Sequence, residues 1–267
     1  MLTESELLRL ADLNLMEFWR DSSKWIPQSE VYESGDTVFI NSGHDFPACS
    51  FAFNLSLAGD VNPDAFLGRV KAFFHGKKKA FSLVLRDHCD RETIQYCKDK
   101  NIFQVSESPG MTLDKPLKPG VVPEGAELRM VENETGLNDF KKVVAEAYMD
   151  LAFPAEVSEA YFSHAERVLS PQFILAVMYL NGEPASCALA MLSHGIAGIY
   201  WVGTMKYARG RGLAEYCVRE VGNSAFQLGA RKIVLQASRF GQPIYQRIGY
   251  REFTKYPWFI CSSRHSG

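Results

Sequence analysis

Apolar and polar positions along the chain change period several times, and each change marks an element. The first stretch, MLTESELLRLADLNLMEFWRD, sets apolar residues at helical spacing among acids and predicts an amphipathic helix over 3–22. Shorter β-rich runs predict strands at 36–41 and 49–57, a helix at 63–75, a strand at 80–86, a helix at 90–100 and a strand at 102–113. The run 114–125, DKPLKPGVVPEG, is dense in Pro and Gly and reads as an extended linker. Beyond it the pattern predicts a strand at 126–131, helices at 136–150 and 155–169, and strands at 173–180, 185–193 and 197–205. A helix at 211–228, a strand at 231–237, a short helix at 242–248 and a strand at 250–261 complete the series.

The two halves share this order. KAFSLVLRDH answers RKIVLQASRF, and YCKDKNIFQV answers YQRIGYREFT, a weak internal repeat that suggests either duplication or the ordinary alternation of an α/β chain. The predicted fold class is therefore α/β (α+β).

Composition narrows the classes. At 267 residues, with 46% hydrophobic and 22% charged positions, the chain has the make-up of a globular protein of one large or two small domains. Lys plus Arg number 29 against 31 acids, a net charge of −2, so no whole-chain field recruits nucleic acid or an anionic membrane. No apolar run approaches the roughly 20 residues that span a bilayer, and the acidic start is unlike a signal peptide. Six scattered cysteines form no C-x-x-C and no zinc spacing, which favours a reducing, cytoplasmic setting and no metal.

The chemistry concentrates in IYWVGTMKYARGRGLAEYCVREVG. A strand ending at Val202-Gly203-Thr204 meets the turn Arg209-Gly210-Arg211-Gly212 and then a helix beginning Leu213-Ala214. A helix N-terminus presents unpaired N–H groups and partial positive charge, and glycines let a phosphate approach the backbone. Lys206, Arg209 and Arg211 add three cations with no acid between 206 and 214, pointing to a polyanionic ligand. A Gly-x-Gly before a helix is also an ordinary tight turn. The Rossmann pattern fails because its third glycine and its strand-end acid are missing, and Walker A fails for want of Lys-Ser/Thr.

Arg209-Gly210-Arg211-Gly212-Leu213-Ala214 matches the Gln/Arg-x-x-Gly-x-Gly/Ala signature of the GNAT superfamily of acyl-CoA-dependent N-acetyltransferases at every fixed position. The run from Ser238 through Gly241 and Tyr245 to Gly249-Tyr250 resembles that family's second block, with Ser238 for the usual Asn and Gly241 for the usual Ala. These departures leave the pantetheine contact of that Asn unaccounted for. The resemblance covers 126–261 and implies a GNAT fold, a central mixed, mostly antiparallel twisted sheet flanked by helices. It also implies a direct attack of an amine on acetyl-CoA. Arg209 to Ala214 would hold the pyrophosphate; Trp201, Val202, Gly203 and Thr204 would pair with pantetheine beside the thioester, with Ser238 also on the cofactor. Tyr245 would be the general acid toward the leaving sulfur, the alternative being a packed core tyrosine.

For the general base the sequence offers His194, Glu146, Asp150, Gln236 and Ser238. Tyr148, Phe153, Tyr161, Phe162, Tyr200, Trp201, Tyr256 and Trp258 are expected as core residues near the acceptor cleft, those on the 150–156 loop lining it for a small or partly apolar amine.

The expected layout is a degenerate GNAT-like domain at 1–113, a linker at 114–125 and a catalytic domain at 126–267. In the first half the matching junction, 57–64, carries two acids and no Gly-x-Gly, so only the second half is expected to bind CoA. The Lys77-Lys78-Lys79 run reads as a solvated helix exit. The expected protein is a monomer or homodimer whose partners are acetyl-CoA and an amine acceptor. The competing reading is a non-catalytic acyl-CoA sensor.

Overall fold

The computed structural model describes residues 2–56, 61–77 and 79–262. In chain order the first elements are α1 (Glu4–Ser23), β1 (Glu30–Ser34), β2 (Thr37–Asn41), β3 (Phe51–Asn54), α2 (Pro63–Gly76), β4 (Phe81–Val84), α3 (Arg91–Asp99) and β5 (Phe103–Leu113). There follow β6 (Ala126–Met130), α4 (Glu134–Tyr148), α5 (Ala155–Tyr161), α6 (Ala165–Val168), β7 (Phe173–Leu180), β8 (Glu183–Ser193) and β9 (Ile196–Thr204). The last are α7 (Leu213–Gln227), β10 (Ile233–Gln236), α8 (Gln242–Arg247) and β11 (Arg251–Cys261). The chain packs as two compact units, Met1–Ile26 with Met111–Arg251, and Pro27–Gly110 with Glu252–Gly267.

In the first unit the strand order runs from β6 through β7, β8 and β9 to β10, with the end of β5 beyond. From β6 to β9 neighbours are antiparallel, and β9 and β10 are parallel and joined by α7. All eight residues of β7 are buried, as expected of a strand covered on both faces. Leu213, Cys217, Val218, Val221 and Ala225 of α7 pack with Ile199, Ile233 and Leu235. That is the helical stripe the sequence displays.

Helix α1 belongs to this unit. A reciprocal capping box between Thr3 and Glu6 starts it, and its buried face, Leu7, Ala11, Asn14, Leu15 and Phe18, lies on β8 and β9. The compact units thus depart from the sequence boundaries of 1–113, 114–125 and 126–267 at both ends of the chain. The burial of α1 carries residues 1–26 to the later half, and β11 completes the sheet of the other unit. The stretch 114–125 is pinned to α7. Leu117 N–H donates to Asn223 Oδ1 at 2.9 Å, Asn223 Nδ2 returns a bond to Leu117 O at 3.0 Å, and Arg219 Nη1 reaches Lys118 O at 2.7 Å.

The second unit has β1, β2 and β3 as an antiparallel meander, β4 parallel to β3 through α2, then β11 antiparallel to β4, and β5. Phe39, Phe66, Phe74, Phe81 and Phe259 form its core, with Phe74 and Phe81 stacked at 4.5 Å. β3–α2–β4 followed by α3 has the order of β9–α7–β10 followed by α8. Residues 57–60 of the junction read in the sequence, and Lys78 of the lysine run, lie outside the described residues. What is described of the junction shows Asn62 capping α2 through a 3.0 Å bond from Ala65 N–H. Lys77 is paired with Glu30, and Lys79 lies 3.2 Å from Asp45.

Two elements differ from expectation. β1, EVYES, is a mostly exposed edge strand too polar to stand out in the pattern. The helix expected over 155–169 is two helices, α5 and α6, separated by 162–164. Among the described residues no helix is long and apolar enough to cross a membrane.

Candidate active site

The site builds up from the end of β9. The parallel pairing with β10 runs from Ile233↔Ala197 to Leu235↔Ile199 and stops there, whereas β9 continues to Thr204 against β8 alone. β10 itself ends at Gln236, leaving one backbone edge of Tyr200–Thr204 without a strand partner among the described residues. A bulge sits at the same place. Between the pairs Cys187↔Gly203 and Leu189↔Tyr200, β9 carries one more residue than β8, and Trp201 takes a φ of 51°. Positive φ is strained for so bulky a residue, and bulges re-aim side chains.

Packing holds that strain. Trp201 is 6% exposed and its ring meets Tyr148, Phe153, Tyr161 and Phe162 at centroid distances of 4.9, 5.8, 5.4 and 5.4 Å. Gly203 lets β9 close on α4, because a Cβ there would lie 2.8 Å from Ala147 Cβ. Trp201 Nε1 on β9 and Gln236 Nε2 at the end of β10 are buried without a hydrogen-bond partner.

Past Thr204 the chain makes a short 3-10 turn, Lys206–Ala208, whose first N–H donates to Glu146 Oε1 at 2.8 Å. Gly210 and Gly212 follow at φ of 76° and 78°, with open space where their Cβ atoms would be. The first bond of α7, from Tyr216 N–H to Gly212 O, leaves the N–H groups of Leu213, Ala214 and Glu215 outside the helical ladder, and no side chain caps them. Glu215, the one acid in that turn, is drawn toward Arg219 at 3.2 Å and Arg247 at 3.0 Å. Lys206, Arg209 and Arg211 are exposed around this N-terminus. Fifteen residues of aligned peptide dipole point their positive end into it.

Asp150 closes the arrangement. It stands on the 3-10 turn Met149–Leu151 that follows α4, 2.6 Å from Arg209 Nη1 and 3.5 Å from Lys206 Nζ. Arg209 also donates through Nε to Thr204 O at 3.2 Å. The hydrogen bond from Arg209, helped by the nearby Lys206 charge, holds the Asp150 carboxyl below its ordinary range.

Tyr245 is 7% exposed on α8, beside Tyr250 at 5.7 Å, and burial pushes its phenol well above the usual value. Gly241 makes that position possible, since a Cβ there would fall 2.7 Å from Tyr245 Cε2. Ser238 stands in the turn before α8, its Oγ accepting from the N–H of Gly241, the N-cap residue, at 3.2 Å. Burial chiefly raises the Tyr148 phenol, with smaller contributions from Cys187 and Tyr245.

The structure gathers Trp201, Val202, Gly203, Thr204, Arg209, Gly210, Arg211, Gly212, Leu213 and Ala214 at one end of β9, with Glu146 and Asp150 beside them. His194 is a correction. It turns the β8–β9 hairpin with φ of 53° at the opposite end of β9, ten residues and about 30 Å of strand from Thr204, because β-strands rise about 3.3 Å per residue. Tyr256 and Trp258 belong to the second unit, and Tyr200 stacks on Phe18 at 3.6 Å instead of joining the Trp201 cluster. Asp150 was a base candidate on residue type; its ion pairs had no local signal, because its partners stand 56 and 59 positions later.

No family model and no curated protein matches this sequence. Solved structures do. A GCN5-related N-acetyltransferase from Kribbella flavida superposes with a TM-score of 0.73 at 17% identity, covering 97% of this chain and 96% of that one. One from Sphaerobacter thermophilus gives 0.67 at 17% identity, over 87% and 82%. A tandem GNAT protein from the clavulanic acid biosynthesis pathway gives 0.61 at 12% identity, over 91% and 86%. This chain has the fold of the GCN5-related N-acetyltransferases.

Proposed function

We propose that this protein is an acyl-CoA-dependent N-acetyltransferase that moves an acetyl group to a primary amine of a small molecule or peptide. The observation that carries the reading is the coincidence, at one end of β9, of a strand edge that β10 leaves unpaired with an open glycine turn at an uncapped helix N-terminus. A linear ligand with a diphosphate and an amide-bearing arm needs both, one for charge and one for backbone pairing.

The diphosphate of CoA would accept from the N–H groups of Leu213 and Ala214, with Arg211 adding charge. The pantetheine arm would pair with the free edge of Tyr200–Thr204, bringing the thioester toward the bulge at Trp201 and Val202. A backbone N–H there would polarise the carbonyl as the amine attacks and the oxyanion forms. When the C–S bond breaks, Tyr245 would give its proton to the sulfur. Its raised pKa keeps that proton in place at neutral pH. Glu146 stands at the correct end of β9 and is retained as base candidate, while its bond to Lys206 N–H also fixes the turn. An open groove of about 340 Å³, lined in part by Lys141, Glu146, Met149, Glu159 and Met205, offers the acceptor an approach.

The first half, read as a worn copy of the same fold in tandem, would not bind CoA. A cytoplasmic monomer or homodimer fits this activity. The second reading, a non-catalytic acyl-CoA sensor, is favoured by one feature: Ser238 spends its hydroxyl on Gly241 N–H and offers no amide to pantetheine.

Free CoA release from acetyl-CoA, measured over amino acids, polyamines and peptides, tests the proposal. Turnover with any of these amines supports the transferase; CoA binding without turnover across the panel favours the sensor. Failure to bind CoA at all removes both.

A further inference from the structure

The cations that the glycine turn offers to an anion are already in use. Asp150 takes Arg209 at 2.6 Å and Lys206 at 3.5 Å, and these are two of the three basic side chains at the N-terminus of α7. Arg209 is held on its other side by Thr204 O, so its guanidinium is aligned at the junction of β9 and the turn. The carboxylate comes from the turn Met149–Leu151, whose neighbours Tyr148 and Phe153 both pack on Trp201. One ion pair therefore ties the glycine turn to the loop that borders the bulge.

We propose that Asp150 is a positioning residue that holds Arg209 and Lys206 in the free protein and gives them up when a diphosphate ligand binds the adjoining helix N-terminus. The inference rests on the acyl-CoA reading only for the identity of that diphosphate. One observation and two arguments from charge favour displacement over a permanent brace. The pair is solvent-accessible, with Asp150 30% and Arg209 43% exposed, so exchanging one anion for another exposes nothing buried. A carboxylate and a phosphate oxygen make the same charge-assisted bond to a guanidinium, so Arg209 need not rearrange. The two anions cannot remain side by side without repelling each other. Displacement also frees the 149–151 turn, so loading the diphosphate loosens the loop next to Trp201.

The test measures binding of inorganic pyrophosphate and of CoA to the full chain at low salt, for the native protein, Asp150→Asn, Asp150→Ser and Asp150→Glu. Freeing Arg209 and Lys206 for the diphosphate, two charge pairs in a water-like dielectric, predicts about tenfold tighter binding by the Asn and Ser variants. The gain shrinks in high salt, and Asp150→Glu restores native affinity. Hydrogen exchange at Ala152 and Phe153, whose N–H groups bond to Met149 O and Tyr148 O, rises when the native protein is loaded and is already high in free Asp150→Asn. The sign and the exchange together are decisive, because a carboxylate that stays in place also repels the ligand but leaves exchange at Ala152 and Phe153 unchanged on loading. A residue that merely braces the turn would, once removed, leave affinity unchanged or weaken it, and either result overturns the proposal. An unchanged melting temperature for at least one variant certifies that a weakened result is not misfolding. If the native protein binds pyrophosphate but not CoA, and the tenfold gain persists, the acyl-CoA reading falls and the displacement stands. If it binds neither, both fall.

Discussion

Asn14 and Tyr200, 186 positions apart, share a buried hydrogen bond in which the Tyr200 hydroxyl donates to Asn14 Oδ1 at 2.7 Å. The Asn14 amide donates in turn to Met191 O at 3.2 Å and Ser193 Oγ at 2.7 Å. Through this one side chain α1 reads both β8 and β9. Phe18, one turn on, stacks on the Tyr200 ring, so the residue before the bulge is fixed from above by hydrogen bonds and by ring packing. The first helix is thus a structural part of the unit that holds the candidate site.

Replacing Asn14 by Ala leaves the buried Tyr200 hydroxyl without its acceptor and removes the amide's bonds to Met191 O and Ser193 Oγ. A loss of about 2 to 3 kcal/mol is expected, against about 1 kcal/mol for Tyr200→Phe, because the first removes three hydrogen bonds and the second one. Urea melts of the two variants check the order; Asn14→Ala at native stability would contradict it.

Gly241→Ala separates fold from chemistry. The new Cβ would lie 2.7 Å from Tyr245 Cε2, so the ring must swing away while the turn at Gly210–Gly212 is untouched. The expected outcome is CoA affinity within twofold of native and turnover reduced about tenfold or more, the usual loss when a proton donor is displaced. Equal turnover would show that Tyr245 is only a core residue.

Tyr245→Phe carries the pH test. Burial raises the Tyr245 pKa, and the phenol is a proton donor only below that pKa. The donor is therefore present throughout the neutral and moderately alkaline range, and its loss on the alkaline side lies above the ordinary tyrosine value of 10.0. A rate profile that fell on the alkaline side near pH 8 and kept that limb in Tyr245→Phe would assign the proton to another group.

Gly212→Val examines the turn. Nothing crowds the Cβ position, so the cost is confined to the backbone, where φ is 78°. Left-handed φ costs a β-branched residue about 1 to 2 kcal/mol. Relaxing it turns the N–H groups of Leu213 and Ala214 away from their common direction. The prediction is a melting temperature a few degrees lower and CoA binding weakened at least tenfold, with calorimetry as the check.

The sequence by itself determined the elements whose cause is local. The stripe on α7, the Gly-x-Gly turn before it and the β-rich runs of β7 to β9 are written in periods and turn residues, and they carried the fold and the glycine turn. Asn14 even left a mark, a polar residue on the apolar face of α1, but no rule of spacing names its partners. What the tertiary structure alone decided depends on pairs far apart in the chain. The burial of α1 took residues 1–26 to the later unit, and the end of pairing at Leu235↔Ile199 opened the edge of β9. The bulge turned Trp201 into its aromatic cluster, and the turn after α4 brought Asp150 to Arg209. His194 shows the difference in a single residue. Its chemistry suits a base, and the reversal of direction in a hairpin placed it at the wrong end of the strand. Local propensity acts over a few residues, whereas a site is assembled by the register of strands and the seating of helices, which are fixed only when the whole core packs.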